Sequence, residues 1–460
     1  MLRRWNGWIL YLLLIVFLVG CATYRMKNQK LYDAIDTGQF EKADKILEKD
    51  TKSPTNRNRL LYYLNRGYVS WMLNDQKKSV DFFNTAENVI DDYSVQIASE
   101  ALALISNPMM KPYKAEDFEV VMVNCFKAIN YMQLDNSEDA MVECRRINLK
   151  LNNLNDKYKD HKNRYQRDAF ATNMMGLLYE SDKDYNNAFI AYRNALEIYE
   201  NDYIQNFDVP VPRQLKIDLL RTAYIMGFHE ELDFYERKFG MKHQPQPKSH
   251  AELIFIWMNG FGPYKDEWSV NFSIIKGSGG MVTFANDELG FSFPFFLGSS
   301  NDESSLSDLK FVRVAFPKYV ERPPLSLSAS LSLNSNDYPL ELAENINAIA
   351  FKTLHDRFLR EMGSSLLRVA TKQAVEEVTR EQNKGVGAVV SLVNAATEKA
   401  DTRNWQTLPY GISYARIPLK KGDNQLFLNV RMRDGRILKH ELPITANEGQ
   451  TYFHAFHSLN

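Results

Sequence analysis

The feature that most constrains this chain is a frame of small and aromatic residues that returns across its first half. Within residues 172–199, Gly176 is followed three positions later by Tyr179. After a polar turn at 181–185 come Ala188, Tyr192 and Ala195. Tyr63, Gly67, Ser79, Phe83 and Ala86 occupy the same slots, as do Ala128, Tyr131, Ala140, Cys144 and Ile147. A partial copy sits at Ala34, Ala43 and Leu47, with TGQF (37–40) as its turn. Steps of three and four residues put these positions on one helix face. Small residues there let two helices approach, and the aromatics fill the gaps between hairpins. The small residue that opens the second helix recurs at 43, 79, 140 and 188, so the long intervals predict extra helix over 95–106 and 137–158. Pro210 and Pro212 interrupt the pattern. Residues 213–240 then read as one more, degenerate hairpin, since a stack must cover its last apolar face.

The order of small residue, aromatic, turn, alanine, aromatic and alanine resembles the tetratricopeptide (TPR) repeat, whose strict period is about 34 residues. The resemblance implies an all-α solenoid of helical hairpins over residues 28–240. It also implies a concave surface that binds a protein partner rather than performing catalysis.

The N-terminus carries a different signal. Arg3 and Arg4 precede an apolar run at 8–19 (WILYLLLIVFLV), the length of a signal-peptide core and too short to span a bilayer. Leu18-Val19-Gly20-Cys21 follows and resembles the bacterial lipobox. That resemblance implies cleavage after Gly20, lipid on Cys21 and a lipidated tether over 21–27. Ala22, with no Asp at that position, implies an outer-membrane address facing the periplasm. Losing residues 1–20 removes two arginines and moves the net charge from -1 to -3. No basic field attracts nucleic acid, and attachment to the membrane falls to the acyl chains. Three cysteines exclude a disulfide framework. Two readings of Cys125 and Cys144 stand: a bridge formed after export, or two small buried hydrophobes.

Residues 241–250 (MKHQPQPKSH) lack periodicity and read as a linker to a mixed α+β domain over 251–460. Strands are expected within 251–335, among them AELIFIWM (251–258) and the alternating LSLSASLSL (325–333). Helices are expected within 338–399, on an amphipathic stripe from Ile346 to Val378 and a small apolar run at 385–396. Four strands within 410–456, separated by turns at 419–423 and 433–436, suggest antiparallel hairpins forming a small C-terminal β-sandwich-like module.

Groups that carry chemistry are sparse. None of the eight histidines has metal-ligand spacing: HEELD (229–233) carries Asp where a zinc helix needs its second His. No cofactor is implied. Two polar loops are denser than their surroundings. GFGPYKDE (260–267) follows a strand, and DTRNWQTLP (401–409) follows a helix. Lys265, Glu267, Asp401 and Arg403 are therefore candidate ligand residues. The alternative has Arg403 pairing with a carboxylate, Trp405 plugging the core and Pro409 starting a strand. Taken together, the lipobox, the repeat array and these two loops resemble a family of uncharacterised bacterial TPR lipoproteins. The resemblance implies an envelope protein that scaffolds a partner in envelope assembly, cell-wall synthesis or export. An envelope hydrolase or glycan-binding protein using the two loops is the alternative.

Overall fold

The structure is a computed structural model that describes residues 23–95, 108–157, 164–244, 251–277, 281–296, 311–382 and 400–459. Gly20, Cys21, most of the expected helix at 95–106, the end of the linker and the small apolar run at 385–396 lie outside the described residues.

The first half is five helical hairpins: α1 (Gln29–Asp36) with α2 (Phe40–Lys49), α3 (Arg59–Met72) with α4 (Gln76–Val95), α5 (Asp117–Gln133) with α6 (Ser137–Lys157), α7 (Ala169–Ser181) with α8 (Tyr185–Ile198), and α9 (Arg213–Met226) with α10 (His229–Phe239). One turn geometry joins all five. Gly38, Asn74, Asp135, Lys183 and Gly227 each have φ between 57° and 71° and stand two residues before the second helix. Each donates its N–H three residues back. The next residue donates five back: Gln39 to Ala34, Asp75 to Ser70, Asn136 to Tyr131, Asp184 to Tyr179 and Phe228 to Ala223, all at 2.8–3.0 Å. This is the Schellman closure, which satisfies the last carbonyls of a helix. The hairpin at 213–240, degenerate in side chains, is thus a full member in backbone geometry.

The turn fixes a packing register. Five residues after the left-handed position stand Ala43, Ser79, Ala140 and Ala188, and in the last hairpin Leu232. Ser79 Oγ donates to the Gly67 carbonyl at 2.8 Å and accepts from Asn130 Nδ2 at 3.0 Å, tying two hairpins together. A Cβ on Gly67 would lie 2.6 Å from the Phe83 ring, and one on Gly176 would strike the Tyr192 ring. These glycines give room for a ring on the second helix. In the third hairpin the same two slots hold Ala128 and Cys144, a smaller pair for a similar gap. Ala86, Ala140 and Ala195 are buried in the same core, and Tyr179 packs at its edge. Cys125 and Cys144 are free and buried, and burial raises both thiol pKa values above the ordinary range. After α8, a π-helical stretch (Tyr199–Tyr203) and a short helix (Ile204–Phe207) end at Asp208 with φ 54°, ahead of the two prolines.

The second half contains three four-stranded sheets. The first has the order β12-β1-β9-β8, where β1 is Ala251–Phe261, β8 Glu341–Glu344, β9 Pro409–Leu419 and β12 Gln450–Ser458. The second is β11-β10-β6-β7, with β6 Ser326–Leu333, β7 Asn336–Pro339, β10 Gly422–Met432 and β11 Ile437–Ala446. The third is β4-β3-β2-β5, with β2 Tyr264–Lys276, β3 Met281–Asn286, β4 Phe291–Phe296 and β5 Phe311–Val320. Pairing is antiparallel except between β1 and β12, which run parallel. The long helix α11 (Ile346–Gln382) covers the third sheet with Phe358, Met362 and Leu366, one helical turn apart.

The first sheet is buried on both faces, which explains the unbroken apolar run in β1. Leu253, Phe255 and Trp257 pack against the second sheet with Leu331, Leu333, Leu426 and Leu428. Ile254, Ile256 and Met258 point the other way and join the core of the helical hairpins. The layers are therefore helices, first sheet, second sheet.

Several expectations need correction. The C-terminal strands do not form a module of their own. β9 and β12 flank β1, whereas β10 and β11 extend the sheet of β6. The turn at 419–423 therefore carries the chain from one sheet to the other, and only the Asp434-Gly435 turn closes a hairpin. Residues 338–344 are strand rather than helix. Asn345 accepts the Ala348 N–H through Oδ1 at 3.0 Å and sets the start of α11. Of the residues expected as a tether over 21–27, Tyr24–Lys27 instead form a helical turn, with Tyr24 buried.

Candidate functional site

A helical array of this kind offers its inner face for binding. Here that face is filled by the chain's own second half, and every hairpin contributes. Near the first, Arg25 Nη1 donates to Gln406 Oε1 at 2.9 Å, and Asp36 pairs with Arg322 at 3.7 Å. In the second, Tyr68 meets His457. The third and fourth hold charged networks, and in the fifth Gln214 N donates to Glu341 at 3.1 Å.

The segment 401–408 is a strap across the second and third hairpins. Trp405, 1% exposed, stands with its ring centroid 5.7 Å from Phe83 and 5.6 Å from Phe126. Its backbone N–H donates to Glu119 Oε1 at 2.7 Å and its indole N–H to Thr407 Oγ1 at 2.7 Å. Arg403, also 1% exposed, forks onto Asp401 at 2.8 and 2.6 Å and donates to Asn58 Oδ1 at 3.1 Å and to the Lys111 carbonyl at 3.0 Å. Asn404 accepts the Lys265 N–H at 3.0 Å and donates to the Pro263 carbonyl at 2.9 Å. Pro409 begins β9.

Lys265, Glu267, Asp401 and Arg403 thus gather around one segment, with Lys265 and Arg403 buried and Glu267 and Asp401 half-buried. Lys265 is 6% exposed and pairs with Glu116, which Arg357 also grips. Glu267 Oε2 accepts the Ala400 N–H at 2.8 Å. Arg403 pairs with Asp401, whereas Lys265 and Glu267 are engaged by Glu116 and the Ala400 N–H, which differs from the expected open ligand loop. Burial alone would raise the Glu116 pKa, but Arg357 and Lys265 outweigh it and hold the carboxyl at about 2. Glu119 is pushed up to about 7 by burial and by the Glu116 charge, against the hydrogen bonds it accepts from Tyr113 and from the backbones of Glu116 and Trp405.

Arg416 of β9 carries a second network into the fourth and fifth hairpins. It donates to Glu180 at 2.7 Å and to the Tyr192 hydroxyl at 3.1 Å, lies 3.2 Å from Asp218, and pairs with Glu252. Arg221 bridges Glu180 and Asp218 at 2.7–2.8 Å. Burial opposes ionisation of Glu180, yet the two guanidiniums hold its pKa at about 2. His457 completes the junction. Its Nε2 faces the Gly260 carbonyl at 2.6 Å, so Nε2 carries the proton and Nδ1 accepts from the Tyr68 hydroxyl at 2.9 Å. Burial lowers its pKa to about 4, leaving the ring neutral.

Sequence reasoning missed Arg416, Tyr68 and His457 as junction residues. The only available signal was an arginine and a histidine inside otherwise apolar strands. One open cleft of about 340 Å³ among the described residues lies between the second hairpin and the two sheets, lined by Trp71, Phe255, His440, His454 and Phe456 among others. Among the described residues no group of His, Cys, Asp or Glu is arranged to hold a metal, and no helix is long and apolar enough to cross a membrane.

No protein-family model matches the chain, and no curated protein matches it. Solved structures are similar to it over the helical half. MamA is 15% identical over 45% of this chain and 90% of its own, with a TM-score of 0.28. BtubC from P. vanneervenii is 16% identical over 48% and 80%, with a TM-score of 0.28. A tetratricopeptide repeat protein from Parabacteroides merdae is 17% identical over 48% and 79%, with a TM-score of 0.21.

Proposed function

We propose that this protein is a lipid-anchored cell-envelope scaffold that binds a protein partner through the free end of its helical array. One observation supports the docking end. The inner face is occupied, whereas the last hairpin leaves Tyr224, Ile225 and Phe234 exposed at 52%, 46% and 53%. In a stack of hairpins each apolar face is covered by the next one, and a terminal cap is normally polar outside. A partner helix that continues the stack would cover these three residues. The anchor rests on Arg3, Arg4, the apolar run at 8–19 and Gly20-Cys21, with Cys21 as the acylated residue and the outer membrane, periplasmic side, as the address. The partner belongs to envelope assembly, cell-wall synthesis or export. Among the described residues the 260–267 and 401–409 loops present their charged groups to partners within the protein, which favours the scaffold reading over a hydrolase or glycan-binding role.

Pull-down from detergent-solubilised envelopes tests the reading. Wild type should recover a specific protein that I225D/F234D loses, while the thermal unfolding of the two chains stays the same. Equal recovery of the same protein by both would overturn it.

A further inference from the structure

Only Ala22 lies between Cys21, the proposed acylated residue, and the described body at Thr23. Thr23 begins the fold: its hydroxyl caps the turn Tyr24–Lys27. Tyr24 is 7% exposed, belongs to the main core and meets the Tyr32 ring edge-on at 6.4 Å. Its N–H donates to Thr402 Oγ1 at 3.2 Å, so the first turn is tied to the strap. Arg25 adds three more ties: it pairs with Asp36 and its guanidinium lies over the rings of Tyr32 at 5.3 Å and Tyr264 at 5.4 Å. Asn28 Nδ2 donates back to the Tyr24 carbonyl at 3.0 Å. Nothing after Thr23 can pay out as a tether.

Only two residue steps separate Cys21 from Thr23. Fully extended, they reach about 7 Å. A bilayer about 40–45 Å thick has a hydrocarbon core of about 30 Å, which leaves roughly 5–7 Å of headgroup layer on each side. Acyl chains on Cys21 would hold its sulfur in that layer. The start of the fold would then lie at headgroup depth.

We propose that the protein sits directly on the bilayer surface, with the face formed by residues 23–30 against lipid headgroups, so that the anchor fixes how the body is presented as well as where. This rests on the lipid anchor of the proposed function. The composition of that face fits the placement. Met26 is 62% exposed on the first turn, an apolar side chain beside the anchor. Lys27 and Lys30 are exposed beside it and match anionic headgroups. Direct seating would orient the terminal hairpin identically on every copy, which a flexible leash would not.

The test uses full-length acylated protein in liposomes that carry a headgroup nitroxide. A fluorophore is placed at M26C, the buried Cys125 and Cys144 being poor competitors for labelling. It is compared with the same label in a variant that has twelve Gly/Ser residues inserted between Ala22 and Thr23. Such an insert has an r.m.s. span of about 20 Å. Direct seating predicts quenching at position 26 that falls severalfold in the spacer variant. Equal quenching in the two acylated proteins would overturn direct seating and leave the anchor standing. A mass spectrum without acyl chains on Cys21 would overturn the anchor and this inference together.

Discussion

The inner face of the helical array and the outside of its last hairpin are made of the same kind of residue and meet opposite fates. Trp405, Phe83 and Phe126 are enclosed together where the strap crosses the second and third hairpins. Tyr224, Ile225 and Phe234 at the end of the stack stay about half exposed among the described residues, with only the His243 ring against Tyr224. The fold, rather than composition, decides which apolar residues of the array are enclosed and which stay exposed. In this array the helices are packed against the chain's own strands and the 401–408 segment.

Three substitutions in the interior should cost the most, two at the junction with the strands and one inside a hairpin. Trp405→Ala leaves a cavity beside the Phe83 and Phe126 rings and removes the indole N–H that Thr407 Oγ1 accepts. Equilibrium denaturation should show a loss of about 3–5 kcal/mol. Arg416→Ala leaves Glu180 and Asp218 with one guanidinium between them, and the same measurement should show about 3–5 kcal/mol. Gly176→Ala drives a methyl group into Tyr192 and should cost about 1–3 kcal/mol, although alanine is the better helix former. A neutral or stabilising G176A would break the glycine-to-ring packing described for the second and fourth hairpins. At the other face, I225D/F234D should stay within about 0.5 kcal/mol of wild type.

The pH dependence sharpens the contrast between the two neighbouring carboxylates of α5. Glu116, like Glu180 and Glu87, has a folded-state pKa near 2, below the ordinary 4.5. Their stabilisation is present above pH 4.5 and is lost as pH falls from 4.5 toward 2. Glu119 is shifted the other way, to about 7. Its contribution is complete below pH 4.5 and is lost as pH rises toward 7. Thermal melts should therefore fall steeply below pH 4.5, and Glu119→Gln should flatten the decline between pH 5 and 7. An unchanged slope in that variant would remove Glu119 as its source.

The repeat frame was legible because its causes are local. A left-handed turn residue and a small residue five positions later stand within one hairpin, so Ala43, Ser79, Ala140 and Ala188 marked it. The role of 401–409 was less legible. Polar residues following a helix look like a surface loop, and only the partners Asn58, Glu119 and Phe126, some 280 to 350 positions away, make them interior. The C-terminal strands misled for a related reason. Alternation in 410–456 gives strands and faces, but it does not say that β12 pairs in parallel with β1, about 200 residues earlier.

The central claim is that the helical array and the strands are one folded body joined through a filled groove. Native-state hydrogen exchange on the full chain tests it most directly. The amides of α3, α5 and α7 should open with the same free energy as those of β1 and β9, and Trp405→Ala should lower both sets together. Helical amides that keep their protection while the strand amides exchange, in wild type or in the variant, would show two independent domains and contradict the claim.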